Sequence, residues 1–132
     1  MATARATFVV DEIGHGEPIA THPGAEVARA RVHKTFTGDF SGTGEVEMTT
    51  ALAGDGRGYV GVEWLEGTLD GRAGGFALLH CGTADAAVQS GTWPIVPGTG
   101  TEALVGITGH AEVGVDADGT HRFTLDYELP EA

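Results

Sequence analysis

Glycine supplies 22 of the 132 residues and is scattered along the whole chain between short apolar runs. This is more than twice the usual share of about 7%. Glycine weakens helix interiors and permits tight turns, bulges and strongly bent strands. A chain punctuated in this way is expected to form closely spaced antiparallel strands. Period-two alternation of apolar and polar residues recurs between the glycines and supports the same reading.

The alternation places strands near Arg5–Glu12, Val27–Thr37, Gly44–Leu52, Gly58–Leu69, Arg72–Thr83, Ala86–Val96, Ala103–Val115 and His121–Leu129. Asp70-Gly71 is a type I′ hairpin signal, and Gly54-Asp55-Gly56 and Asp116-Ala117-Asp118-Gly119 mark further turns. Ile13–Glu26, with His15, Pro18, His22 and Pro23, is expected to be a long connection. Only Glu102–Ile107 suits a short helical turn. An open sheet of this size leaves two exposed edges, which closure removes. The expectation is an all-β, eight-stranded antiparallel up-and-down β-barrel with little or no helix, forming a single domain over 1–132.

The formal charge of −12 and a pI near 4.6 disfavour nucleic acid and anionic membrane surfaces as partners. No run approaches the roughly 20 apolar residues of a membrane span. Cys81 is the single cysteine, so no intramolecular disulfide can form. The amino terminus enters an alternating pattern with no secretory apolar segment, and a cytoplasmic location is expected.

Each barrel strand turns one face inward. Ala6, Phe8 and Val10 share a face, as do Val32, Lys34 and Phe36. Tyr59, Glu63 and Leu65 share another, as do Phe76, Leu78 and His80; so do Trp93 and Ile95, and Phe123, Leu125 and Tyr127. The lumen is then apolar and aromatic, interrupted by Lys34, Glu63 and His80. An apolar pocket with a few converging polar groups is the usual form of a small-molecule site. Each of the three also has a structural reading: a solvated rim for Glu63, charge neutralisation for Lys34, a hydrogen-bonded wall residue for His80.

Motifs for other chemistries fail on context. Gly98-Thr-Gly-Thr-Glu-Ala103 fits a loose dinucleotide pattern but leads into a strand, not a helix. Neither Ser41 nor Ser90 lies in a nucleophile elbow. His80 and Cys81 are adjacent in a strand and point to opposite faces. The six histidines lack zinc-ligand spacing, so neither a metal nor a cofactor is expected.

Several segments together are similar to a bacterial family of small uncharacterised proteins (DUF3224-like) with an allene-oxide-cyclase-like, calycin-like barrel. They are Lys34-Thr-Phe-Thr-Gly-Asp-Phe-Ser-Gly42, Tyr59-Val-Gly-Val-Glu63, Gly67 through Phe76 to His80, Trp93, Val96-Pro-Gly-Thr-Gly-Thr101, Leu104 and Leu125-Asp-Tyr-Glu-Leu129. The likeness spans nearly the whole chain. It implies an eight-stranded barrel and a homo-oligomer, dimer or trimer, but no settled reaction. Trp64 and Leu79 depart from it, standing where polar residues are expected; facing outward, they suggest a subunit contact. More distant barrels of this shape close rings in hydrophobic substrates, a link at the level of fold.

Two functions compete. In the first, the barrel is a cofactor-independent cyclase or isomerase for a small hydrophobic molecule. Glu63 is then the general base, Lys34 or His80 stabilises developing negative charge, and Phe36, Tyr59, Phe76, Trp93, Leu125 and Tyr127 shape the pocket. The Ile13–Glu26 connection serves as a lid. The alternative is a non-catalytic, lipocalin-like carrier or sensor of a small apolar ligand. A packed barrel that only self-associates is the third reading.

Overall fold

A computed structural model describes residues 1–130. Eight antiparallel strands pair in chain order and the last returns to the first, closing a barrel. They are β1 (Ala2–His22), β2 (Ala25–Gly38), β3 (Phe40–Ala53), β4 (Gly56–Leu69), β5 (Arg72–Ala84), β6 (Gln89–Pro94), β7 (Thr108–Val115) and β8 (His121–Glu128). A three-residue 3-10 turn, Glu102–Leu104, is the only helical element among the described residues. Asp70 and Gly71 both have positive φ, 47° and 85°, as a type I′ turn between β4 and β5 requires.

One expectation is overturned. Ile13–Glu26 is not a loop but the end of β1, a two-residue turn and the start of β2. β1 bulges at Asp11, resumes pairing at Glu12↔His33 and continues to His22↔Ala25. Pro23 and Gly24 make the turn, Gly24 with φ 86°. Pro18, which has no N–H to donate, is tolerated because register shifts flank it. Three other boundaries move. β3 begins at Phe40, not Gly44. β6 begins only at Gln89, because the Asp85 carboxylate accepts from the Ala87 and Val88 N–H groups (both 2.8 Å) and holds a turn there. β7 begins at Thr108, not Ala103, because the chain from Val96 to Thr101 runs along β5 instead, with Val96 N to Ala77 O and Thr101 N to Gly75 O at 2.9 Å.

The barrel has a solid end and an open end. At the solid end lie the β4–β5 turn and the 3-10 segment, which inserts Leu104 and Ile107. Phe36, Phe40, Phe76 and Phe123 pack there edge-on or tilted, with ring centroids 5.1–6.3 Å apart, among Leu65, Leu69, Leu78 and Leu125. Each such side chain contributes about 1.5–3 kcal/mol on burial. Gly42 and Gly67 let β3 and β4 approach closely, since a Cβ on either would lie 2.1–2.2 Å from a carbonyl of the other strand. Tyr127 closes this end, its hydroxyl donating to Asp70; burial, reinforced by that carboxylate, pushes the phenol up to about 12.

At the open end the strands differ in height. β8 pairs with β1 only as far as His121↔Phe8, whereas β1 and β2 continue through the far hairpin. β1 to β5 therefore stand as a one-sided wall above the mouth, since the β2–β3, β3–β4 and β4–β5 ladders also run on to Glu26↔Leu52, Ala53↔Gly56 and Arg57↔Ala84.

Candidate functional site

The inward faces assigned from alternation hold. Lys34, Glu63 and His80 all point into the barrel and are 7%, 1% and 5% exposed. They come from β2, β4 and β5, and all converge on one atom. His80 Nε2 donates to Glu63 Oε1 at 2.6 Å, and Lys34 Nζ lies 3.4 Å from the same oxygen. Lys34 Nζ also sits 4.6 Å from the centroid of the Phe8 ring, a favourable seat for a cation. Phe8 is in turn stacked on His121 at 4.9 Å. Burial pulls the Lys34 ammonium below its ordinary value, and the Glu63 carboxylate opposes that only in part.

The other carboxylate oxygen, Glu63 Oε2, is buried with no hydrogen-bond partner. Its place is created by Gly44 on β3. A Cβ at Gly44 would lie 2.2 Å from Oε2 and 2.9 Å from Phe36 Cε1. Gly44 was not singled out from the sequence. The available signal was a pair of glycines, Gly42 and Gly44, on the inward face of one strand, which often marks a close approach. Gly44→Ala should drive the carboxylate from its place, because the buried Phe36 ring is the less mobile neighbour. The expected cost is about 1–3 kcal/mol in urea unfolding. His80 imidazole NMR signals should shift at the same time. An alanine variant with unchanged stability and signals would show that the carboxylate is not held there.

Above the trio the wall is aromatic. Tyr59 lies against Gly82, where a Cβ would be 2.8–2.9 Å from its ring and hydroxyl. Trp93 lies against Gly91 in the same way, at 2.6 Å. Burial pushes the Tyr59 phenol up, and a hydrogen bond with Trp93 opposes it. The His80 ring is 6.4 Å from that of Tyr59. A hollow of about 440 Å³ is bounded by Tyr59, Trp93, Val113 and the neighbouring ends of β5 and β6. Both aromatic side chains line this recess, and Tyr59 sets it beside His80.

The nine residues proposed from the sequence therefore divide. Lys34, Glu63 and His80 meet at one point; Tyr59 and Trp93 stand over it; Phe36 packs beneath it. Phe76, Leu125 and Tyr127 lie in the solid end.

A larger hollow, about 940 Å³, is lined by β1 to β5. Outward-register side chains, among them Arg29, Arg31, Val60, Val62 and Leu79, line it together with the inward-register Ala30, Met48 and His80. Trp64 and Leu79 are exposed on the barrel's outer face, as their positions in the alternation predict.

A closed eight-stranded barrel with an ionisable trio buried below an aromatic mouth is the class of protein that fold and site define. Residues 4–127 match the family model described as "Protein of unknown function (DUF3224)", and the chain belongs to that family. It is similar to the crystal structure of a DUF3224-family protein of unknown function from Shewanella oneidensis MR-1. The two superpose with a TM-score of 0.90 and 27% identity, over 100% of this chain and 99% of that one. No curated protein matches the sequence. No helix among the described residues is long and apolar enough to cross a membrane.

Proposed function

We propose that this barrel is a cofactor-independent proton-transfer enzyme of the isomerase or cyclase type, acting on a small apolar molecule held at its mouth. The observation that carries the reading is the convergence of two buried donors on Glu63 Oε1 beneath Tyr59 and Trp93. A carboxylate shielded from water is a stronger base toward carbon acids than a solvated one. Glu63 removes a proton from the substrate and returns it elsewhere. His80 holds the carboxylate in place and exchanges protons with it. The Lys34 cation stabilises negative charge that develops on the substrate. Tyr59 and Trp93 fix the reactive conformer against the wall.

A generic carbon acid tests the base. Proton removal from nitrobenzisoxazole opens its ring to a coloured phenolate, with no partner needed beyond the base. The native barrel should accelerate this opening over free acetate. Glu63→Gln, which keeps shape and one acceptor, should lose about 10²–10⁴-fold in rate. Quenching of tryptophan fluorescence should report similar binding in both proteins. Equal rates with the native protein and with acetate would sink the catalytic reading. Binding without turnover would instead identify a carrier.

A further inference from the structure

We propose that Lys34 captures the carbonyl carbon of an apolar aldehyde or ketone as an imine. The proposal rests on the proton-transfer reading of the same site and names its substrate class, an enolisable carbonyl compound.

Lys34 is the only lysine in the chain. Every other basic side chain of the Lys/Arg type is an arginine, and all of these arginines are exposed. Arginine carries charge equally well at a surface, but it does not lose its proton in proteins, and lysine does when buried. The one basic residue able to become a neutral amine is thus the one placed inside the barrel. Its side chain is 9% exposed, and Nζ lies 3.4 Å from a carboxylate that can take its proton. Desolvation of a lysine in an apolar site is a general route to an amine nucleophile. The Phe8 face and the Glu63 carboxylate fix where Nζ stands in either protonation state.

The step balances without an oxidant or reductant. Glu63 accepts a proton from the ammonium, and the free amine forms a C–N bond to the carbonyl carbon. The Glu63 carboxyl returns that proton to the carbonyl oxygen, giving a carbinolamine. The hydroxyl group leaves as water, taking a second proton from the nitrogen through Glu63, and the C=N bond remains. The ammonium's third proton stays on that nitrogen, so the C=N group is an iminium, an electron sink that acidifies the neighbouring C–H, beside the carboxylate that removes it.

The test uses hydrocinnamaldehyde and decanal with sodium cyanoborohydride, and hydrocinnamyl alcohol as a partner of similar shape with no carbonyl group. Reduction of an imine leaves an adduct heavier by the aldehyde less one oxygen, read by intact mass and peptide mapping. One adduct per chain at Lys34 is expected, and none at Lys34 in a refolding-competent Lys34→Met barrel. The Met1 amino group is the internal reference, and Lys34 should be modified first. Binding of the aldehydes and the alcohol with no adduct at Lys34, or an adduct only at Met1, would overturn imine formation and leave the proton-transfer reading standing. Failure of all three compounds to bind would overturn both.

Discussion

Glu63→Ala is expected to cost about 3–5 kcal/mol of folding stability at neutral pH, far more than the lost methylenes account for. The reason is the group left behind. Lys34 stays in a site 7% exposed, with the Phe8 ring but no carboxylate beside it. The ammonium must then be buried unpaired or lose its proton. Deprotonating an amine with an ordinary value near 10.4 at pH 7 costs about 1.36 kcal/mol for each unit of difference, or roughly 4–5 kcal/mol. That figure caps the penalty, since the chain takes the cheaper route.

The same argument fixes the pH dependence. Burial lowers the Lys34 value in the folded barrel, and removing the carboxylate that opposes this lowers it further. Between the depressed folded value and the ordinary unfolded one, the unfolded chain binds more protons. Stability contributed through Lys34 therefore rises with pH across that window. The gap between native and Glu63→Ala barrels should close as pH rises from about 7 toward about 10, where the unfolded lysine is itself losing its proton. Urea unfolding of both proteins at several pH values reads this directly, since titrations common to both cancel. A gap that stays constant would mean that Lys34 reaches water in the variant.

Much of this was legible in the chain because a strand alternates strictly. Once Phe36 and Val32 are assigned inward, Lys34 must be inward too, and the same parity carries Glu63 with Leu65 and His80 with Leu78. Parity does not report height along the barrel, which depends on stagger between strands. That is why Phe76, Leu125 and Tyr127, correctly placed on inner faces, belong to the solid end and not to the mouth. The Ile13–Glu26 segment misled for a related reason. It carries two prolines, three glycines and no apolar alternation, because this hairpin stands above the closed part of the barrel with both faces exposed. Its pairing comes from the backbone ladder with β2, which leaves no periodic trace in side-chain polarity. Gly44 was hidden because its contribution is an absence, visible only when the carboxylate that fills it is in place.

Replacing the whole trio should have the opposite effect from removing one member. In Lys34→Met, Glu63→Leu, His80→Phe, every charge leaves the lumen together, and the leucine takes the space that Gly44 leaves beside Phe36. The native arrangement holds a carboxylate oxygen with no partner and a lysine that burial pulls down, both of which oppose folding. Apolar replacement of a buried ionic group at similar volume is commonly neutral or stabilising by about 1–4 kcal/mol. The triple variant is therefore expected to be at least as stable as the native barrel, inert toward nitrobenzisoxazole, and without any lysine to form an aldehyde adduct. Thermal and urea unfolding of the triple variant beside Glu63→Ala decides between two accounts of the same residues. If the triple variant is destabilised as much as the single one, the trio holds the barrel together and its polarity needs no chemical explanation. If stability rises while proton transfer is lost, the sequence keeps a costly polar layer in an otherwise apolar lumen for what that layer does to a bound molecule.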